Sequence, residues 1–258
     1  MEGTLPRFRL KIEYDGRGFV GWQRQNNGFG VQHALEDAIR GFSGESVYVQ
    51  GAGRTDSGVH ALGQVAHIDL KENWSVETIR DALNAHLKGY PVSVLDAVSV
   101  EEGFHARFSA VQRLYKYRII NRRAPLTVDA GRAWWVPQPL DVKMMDDAAR
   151  ILVGTHDFTS FRASECQAKS PVKTLENLTV GQVGEVIEIA GRARSFLHHQ
   201  IRNIVGSLVW VGGGKWTSRQ LEEALRAKDR RAGGPTAPAE GLYLISVFYP
   251  EDNSASDF

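Results

Sequence analysis

The chain has 258 residues, of which 42% are hydrophobic and 24% are charged, and its formal net charge at pH 7 is +1. This composition is typical of a globular protein, and the length allows one large domain or two of about 125 residues. No apolar run approaches the roughly 18 residues that a membrane-spanning helix requires, so we expect no membrane partner. Cys166 is the single cysteine, which excludes an intramolecular disulfide. Because the first residues also show no secretory signal, we expect a reducing, cytoplasmic setting.

The charges are unevenly distributed along the chain. Residues 104–128 contain six basic residues and no acid, and residues 191–219 contain five basic residues and no acid. Acids collect around 69–81, around 141–147 and after residue 250. Segregated basic stretches in a near-neutral chain are typical of a protein that presents one positive face to a polyanion. Basic residues that simply line solvated strand edges are the alternative.

The first half predicts the element order β-α-β-β-α-β. Residues 7–14 alternate between polar and apolar, which indicates a half-buried strand, and apolar residues at helical spacing over 31–39 predict an amphipathic helix that ends near Gly41. A helix capped by Ser75 follows two further strands. The three later strands are predicted at residues 46–50, 62–70 and 92–100.

The second half predicts β-α-β-β-α-α-β. Its elements are a strand at 111–120, a helix capped by Asp141 and closed by Gly154, a hairpin of 172–180 and 185–190, a helix around 201–208, a helix with a Thr217/Gln220 capping box, and a strand at 242–249.

The repeated order predicts an α+β fold built from two ferredoxin-like-derived halves. We place these halves at residues 7–104 and 105–250, followed by a tail at 251–258. We expect them to share a mostly antiparallel sheet, with helices packed on one face and a positively charged cleft between the halves. Two independent ferredoxin-like domains without a shared cleft are the alternative.

A glycine-rich stretch between two predicted strands carries residues suited to chemistry, Gly51-Ala52-Gly53-Arg54-Thr55-Asp56-Ser57-Gly58-Val59-His60-Ala61. Asp-Ser-Gly is also a common turn sequence, so a structural role for Asp56 is the alternative. Arg54 and Asp56 point to the same side if the chain is extended there, and a guanidinium favours the ionised carboxylate that a nucleophile or base requires. The stretch lacks the Gly-Lys-Ser/Thr ending of a phosphate-binding P-loop.

Aromatic and basic residues interleave in Arg113-Leu114-Tyr115-Lys116-Tyr117-Arg118. This pattern suits base stacking beside phosphate contacts, although tyrosines are also ordinary strand residues. Arg202 shares a helix with an inward apolar stripe, where it either extends to solvent or reaches a carboxylate.

The histidines do not form a recognisable metal site in the sequence. His198 and His199 are adjacent and cannot face one metal from a helix, and Cys166 with His156 completes no zinc spacing. We therefore expect no metal.

Together these motifs resemble the bacterial tRNA pseudouridine synthase A family, in family order over about residues 8–250. The segments that carry the resemblance are Tyr14-Asp15-Gly16, Gly21-Trp22-Gln23, Gly53-Arg54-Thr55-Asp56-Ser57-Gly58-Val59-His60-Ala61, Phe104-His105-Ala106-Arg107-Phe108, His156-Asp157-Phe158-Thr159-Ser160-Phe161, Arg202-Asn203-Ile204-Val205-Gly206 and Gly241-Leu242-Tyr243-Leu244.

The resemblance implies a role for five residues. Asp56 matches the catalytic aspartate, Tyr115 the tyrosine that stacks on the target uracil, and Arg202 the arginine that pairs with the catalytic carboxylate. Leu242 matches an apolar residue under the substrate pocket, and Arg54 is implied to help hold the flipped nucleotide out. The family isomerises uridine to pseudouridine at positions 38, 39 and 40 of the tRNA anticodon stem-loop, without metal or organic cofactor, as a homodimer.

Two other functions remain compatible with the residues alone. The hypothesis of a non-catalytic RNA-binding protein explains the basic stretches and the tyrosines. It does not explain the loop that carries Arg54 and Asp56. A carboxylate-based glycosidase or nucleosidase usually needs two paired carboxylates, and no second acid lies near Asp56 in the sequence.

Overall fold

The computed structural model describes residues 5–25 and 28–250, and the chain divides into two compact units. Unit 1 comprises the described residues through Val111 and from Leu244 onward, and unit 2 comprises Gln112–Tyr243. The predicted tail at 251–258 lies outside the described residues. The predicted boundary between two halves at residues 104 and 105 stays a prediction.

Unit 1 has the predicted element order. Its elements are β1 (Arg7–Tyr14), α1 (Val31–Ser43), β2 (Gln50–Gly51), β3 (His60–Asp69), α2 (Val76–His86) and β4 (Val92–Val100). β1 lies between β3 and β4 and pairs antiparallel with both, so that Leu10 is opposite Ala66 on one side and Ala97 on the other. The alternation predicted for β1 is confirmed, because Phe8, Leu10, Ile12 and Tyr14 are buried.

Two details of unit 1 differ from the prediction. α1 ends at Ser43 rather than near Gly41, because Gly44 is the residue that adopts a left-handed conformation, with φ of 74°, and donates its N–H to the Arg40 carbonyl. The strand expected at 46–50 is paired only over Gln50–Gly51, which lies opposite His67 and Ala66. The cap of α2 is confirmed, since the Ser75 side chain accepts the Thr78 N–H.

Unit 2 contains more strands than predicted. Its elements are β5 (Gln112–Asn121), β6 (Trp134–Val136), α3 (Val142–Ala149), β7 (Gly154–Asp157), β8 (Val172–Val183), β9 (Val186–Ala193), α4 (Gln200–Gly212), α5 (Ser218–Ala227) and the start of β10 (Leu242–Phe248), whose later residues belong to unit 1. β5, β9, β8 and β7 pair antiparallel in that order, whereas β6 runs parallel to β5.

The sequence missed β6 and β7 because both are too short for alternation to be visible. Gly154 was expected to close α3, but α3 ends at Ala149, a 3-10 turn follows at Arg150–Leu152, and Gly154 opens β7 with φ of 112°. The hairpin is confirmed with longer strands than predicted. The caps are confirmed as well: the Asp141 side chain accepts the Met144 N–H, and Thr217 and Gln220 form the capping box.

The described residues thus form an α+β fold with mostly antiparallel strand pairing and five α-helices, as predicted at this level. Within the same residues, no helix combines the length and apolar character needed to cross a membrane.

Candidate functional site

The loop that carries Asp56 is hydrogen-bonded to β3 at its start and continues directly into β3 at its end. It occupies residues 52–59, between β2 and β3. The Ala52 N–H donates to the Val65 carbonyl at 2.7 Å, and the Gln64 amide donates to the Gly53 carbonyl at 2.9 Å. The Val59 N–H donates to the Asp56 carbonyl at 3.1 Å, which closes a turn around Asp56. The loop is therefore a defined structure that presents its side chains in fixed directions.

Thr55 anchors the loop in the interior of unit 1. It is buried, its hydroxyl lies 2.8 Å from the Tyr14 hydroxyl, and its carbonyl accepts the Trp22 N–H at 3.0 Å. Arg54 on one side of it is exposed, and Asp56 on the other is half-buried. This alternation agrees with the expectation that Arg54 and Asp56 share the accessible side of the loop.

Glycines allow two neighbouring segments to approach the loop closely. Gly21 has φ of 112°, and a Cβ there would lie 2.6 Å from the Thr55 carbonyl oxygen. A Cβ on Gly16 would lie 2.1 Å from the Val59 carbonyl oxygen, and one on Gly51 would lie 2.6 Å from the Trp22 indole. No described atom lies within 4 Å of a Cβ built on Gly53, so this glycine faces open space. Three of these four glycines are thus required by packing.

His60 and Asp15 contact each other beside this loop, and the sequence analysis assigned a role to neither. His60 is buried, its Nδ1 accepts the Gly16 N–H at 3.0 Å, and the same atom lies 3.2 Å from Oδ1 of Asp15. Burial opposes ionisation of Asp15, but hydrogen bonds from Arg17 outweigh it and lower the pKa of Asp15 to about 2. The signal was present in Tyr14-Asp15-Gly16 and in the histidine that follows Asp56, but only the tertiary contacts explain it.

The two tyrosines of β5 have different environments. Tyr115 is half-buried, lies opposite Gly191 of β9, and its ring meets the Phe196 ring edge-to-face at 5.2 Å. Tyr117 is fully buried, donates its hydroxyl to the Pro238 carbonyl at 2.7 Å, and has a pKa raised by burial. Tyr117 is therefore closed to a ligand, whereas part of Tyr115 is accessible.

Arg202 lies in the first turn of α4 and is half-buried. α4 starts after His199, which adopts φ of 62° without being a glycine. The Arg202 Nε donates to the Ala237 carbonyl at 2.8 Å, and the Ala237 N–H donates back to the Arg202 carbonyl at 3.0 Å. Leu242, the last of the predicted residues, is buried at the start of β10.

A buried network beside Arg202 explains the rest of its motif. Asn203 is completely buried, and its amide donates to the Phe161 carbonyl while its oxygen accepts from Arg230 and from the Thr236 hydroxyl. A Cβ on Gly206 would lie 1.8 Å from the Pro235 carbonyl oxygen. These contacts hold residues 230–237 against α4, and sequence reasoning assigned no role to Asn203 or Arg230.

The basic stretch at 104–128 is less positive than its sequence suggests. Arg113 is buried and donates to the Arg194 carbonyl. Three others lie near acids from elsewhere in unit 2, in the pairs Lys116–Glu188, Arg118–Asp129 and Arg122–Glu185. Arg107 and Arg123 are exposed. The positive-face argument therefore rests on fewer residues than the count of charges implies.

Comparison with known proteins identifies the family. The family model described as tRNA pseudouridine synthase matches residues 11–109 and 148–250. The chain belongs to this family. The predictions of the family and of an enzyme are confirmed. Asp56 and Arg54 lie in the first matched segment, Arg202 and Leu242 lie in the second, and Tyr115 lies between the two segments.

Curated relatives match over nearly their full length. The chain is 57% identical to a tRNA pseudouridine synthase A of Rhodospirillum rubrum over 251 residues, covering 97% of this chain and 90% of the relative. It is 57% identical to that of Parvibaculum lavamentivorans and 58% identical to that of Afipia carboxidovorans, each over 245 residues, covering 95% of this chain and 100% of the relative.

Proposed function

We propose that this enzyme isomerises uridine to pseudouridine at positions 38, 39 and 40 in the anticodon stem-loop of tRNAs. The observation that carries the proposal is the geometry of the Asp56 loop. A half-buried carboxylate follows a buried anchor residue in a chain that belongs to the tRNA pseudouridine synthase family. A turn aspartate with a purely structural role would not require this anchoring by Tyr14, Trp22 and Gln64.

Asp56 is the catalytic residue of the proposal, and it acts on the ribose of the target nucleotide. The reaction breaks the N1–C1′ bond, turns the ring, and forms a C5–C1′ bond. The C5 proton is then released and N1 ends with a proton. A carboxylate serves this sequence as a nucleophile at C1′, as a stabiliser of positive charge at C1′, or as a base at the sugar. All three roles need the ionised form and none needs a cofactor.

The target nucleotide must leave the helical stack before it can reach Asp56, at a cost of about 2–5 kcal/mol. Stacking on Tyr115 would return about 1–3 kcal/mol of this. The half-buried Tyr115 ring with Phe196 at its edge supports this role. Arg54, exposed on the Asp56 loop, is proposed to hold the extruded nucleotide out, and Leu242 to supply apolar surface under the uracil.

Arg202 is proposed as the cation that keeps Asp56 ionised when the substrate excludes water. Its half-buried position and the bond from its Nε to Ala237 fix the direction of its side chain, which supports a specific role over a solvated one. The pairing of Arg202 with Asp56 stays a prediction.

The remaining parts of the proposal come from the sequence and the family resemblance. They are two related halves that share a sheet and form a positive cleft, a tRNA partner, a homodimer, no metal or cofactor, and a cytoplasmic location. The exposed Arg107 and Arg123 and the acid-free stretch at 191–219 support the positive cleft.

The test measures release of tritium from tRNA labelled at C5 of uridine. We expect release with the wild-type enzyme and none with Asp56→Asn, while both proteins bind tRNA with similar affinity. Free uracil as the product would indicate a glycosidase. Binding of tRNA by the wild type without any tritium release would contradict the proposal and support an RNA-binding protein.

A further inference from the structure

A cavity of about 330 Å³ lies in unit 1, and none of its lining residues belongs to the Asp56 loop. Its lining residues come from β1, β2, β3, the segment that leads into β2, and residue 105: Arg7, Val47, Tyr48, Gln50, His67, Asp69 and His105. We call it the His67 pocket. Its volume falls at the small end of the range for small-molecule sites, about 300–1,000 Å³. None of its lining residues takes part in the reaction proposed above.

Two histidines give the His67 pocket hydrogen-bond donors. Nδ1 of His67 accepts the Ala106 N–H at 3.1 Å, and Nδ1 of His105 accepts the Arg107 N–H at 3.1 Å. Each neutral ring therefore carries its proton on Nε2. His67 is only 3% exposed, and within residues 5–25 and 28–250 its Nε2 has no hydrogen-bond partner. Because Nε2 of His67 is not among the fully buried unpartnered atoms of these residues, its N–H is open to solvent at the pocket wall, where a ligand acceptor can replace water.

The pocket offers acceptors and a stacking surface, but little net charge. Arg7 donates to both Asp69 oxygens, at 2.7 and 2.8 Å, so that these two charges balance each other. The Asp69 carboxylate still lines the pocket as an acceptor, and the Gln50 amide supplies both a donor and an acceptor. The Tyr48 side chain is 58% exposed and presents an aromatic face. A phosphate would be repelled by the Asp69 carboxylate, since no cation of the pocket is left unpaired to attract it. A neutral planar ring with donors and acceptors on its edge suits the stacking surface and the polar groups of the pocket.

The His67 pocket is continuous with the strand that leads to Asp56. Gln50 lies opposite His67 in the β2–β3 ladder, and β2 runs directly into the loop. The six Cα–Cα steps from Gln50 to Asp56 can span at most about 20 Å. A nucleic acid with one nucleotide at Asp56 can therefore place another nearby nucleotide at the pocket.

We propose that the His67 pocket binds one unpaired nucleobase of the tRNA other than the uridine that reacts. The inference rests on the proposed function in taking tRNA as the partner. The base would stack on Tyr48, accept a hydrogen bond from Nε2 of His67, and donate one to Asp69 or Gln50. Guanine matches this set well, because its edge has acceptors beside N–H donors. The pocket would act as a second contact that selects full tRNAs and sets the register of the anticodon stem-loop.

The test compares affinities for unmodified tRNA in a filter-binding assay. Tyr48→Ala removes the stacking face of an exposed side chain and should weaken binding by about fivefold or more. Tyr48→Phe keeps the ring and should restore the affinity. Gln50→Ala should also weaken binding, whereas Gln182→Ala, at an exposed position of β8 in unit 2, should not. Unchanged melting temperatures would show that all four variants fold.

Chemical probing of the bound tRNA with base-specific reagents identifies the nucleobase. We expect one unpaired base to be protected by the wild type and to regain reactivity with Tyr48→Ala. Equal affinity of Tyr48→Ala, Gln50→Ala and Gln182→Ala, with identical protection patterns, would overturn the inference. Tritium release from C5 separates this outcome from failure of the proposed function. A wild type that binds tRNA but releases no tritium contradicts the proposed isomerase activity without contradicting binding at the His67 pocket. Normal tritium release together with unchanged affinities of Tyr48→Ala and Gln50→Ala contradicts only the inference about the His67 pocket.

Discussion

The hydroxyl oxygens of Tyr14 and Thr55 lie 2.8 Å apart in the interior of unit 1. Tyr14 is the last residue of β1, and Thr55 directly precedes the proposed catalytic carboxylate. Burial raises the pKa of Tyr14 to about 12, so the phenol stays neutral and can donate this hydrogen bond at any pH at which the enzyme would work. The contact therefore holds Thr55, and with it the neighbouring Asp56, in a fixed position relative to β1.

Thr55→Val should reduce turnover about tenfold, because a displacement of the order of 1 Å at a reacting group is costly. It should lower the free energy of unfolding by about 1–2 kcal/mol, since a buried hydroxyl loses a partner. Tyr14→Phe should have a similar effect. The double variant should lose less free energy of unfolding than the sum of the losses in the two single variants. Additive effects in this double-mutant cycle would show that the contact contributes nothing to stability.

Gly21→Ala should destabilise the fold by about 1–3 kcal/mol. The position has φ of 112°, and the added Cβ would lie 2.6 Å from the Thr55 carbonyl oxygen, so the Asp56 loop must move. Gly53→Ala is the control, because a Cβ there meets no described atom within 4 Å. Urea unfolding of both variants gives the comparison. A control as unstable as Gly21→Ala would contradict the argument that the close approach to Thr55 makes glycine necessary at position 21.

Arg202→Ala should lower the rate of tritium release at saturating tRNA by about 100-fold or more, with a smaller loss of tRNA affinity. Because Arg202 also bonds the Ala237 carbonyl, part of the effect could come from loosening residues 230–237. Thr236→Ala tests this, since it loosens the same segment by removing the bond that Thr236 donates to Asn203 and the bond that it accepts from Arg230. Equal losses of rate and affinity in Arg202→Ala would identify Arg202 as a phosphate contact.

Binding of tRNA should weaken steeply with salt, because phosphate contacts release counterions. Arg107→Ala should reduce the slope of log affinity against log salt by about 0.7–0.9, the value of one contact. Arg107 is exposed and belongs to the basic stretch. Lys143→Ala is the control: its side chain is 86% exposed, and it pairs with Asp147 on α3, outside the basic stretches. A slope that Arg107→Ala leaves unchanged would remove Arg107 from the tRNA-binding face.

The free energy of unfolding should fall as the pH drops from about 7 to about 4 because of His67. Desolvation, followed by the positive charge of Arg7, lowers the pKa of His67 from its usual 6.5 to about 4. The unfolded chain therefore takes up this proton first, so protonation favours unfolding across that window and adds nothing further below it. The loss should reach about 2–3 kcal/mol.

His67→Gln removes this titration and should show a flatter profile of stability against pH. His86→Gln, at an exposed position of α2, should keep the wild-type profile. Identical profiles for the wild type and His67→Gln would show that the imidazole is protonated equally easily in both states.

The sequence by itself determined most of the elements, the family and the candidate residues. Alternation and helical spacing predicted the strands and helices of unit 1, because these patterns record which side chains face the core. The helix caps Ser75, Asp141 and Thr217 were predictable because each bonds a backbone N–H only three residues further along the chain. Short elements such as β6 and β7 were missed, because a strand of three or four residues is defined by its partner and not by its own pattern.

Only the tertiary structure decided which chemically similar residues differ in role. Tyr115 and Tyr117 share a strand and a face, yet the approach of Gly241 and Pro238 to the Tyr117 ring buries it and leaves Tyr115 as the candidate for stacking. The anchoring of Asp56 through Thr55 and Tyr14 likewise joins residues 41 positions apart. Such contacts depend on how strands pair and how closely backbones approach, and these are long-range properties that local patterns in a sequence do not encode.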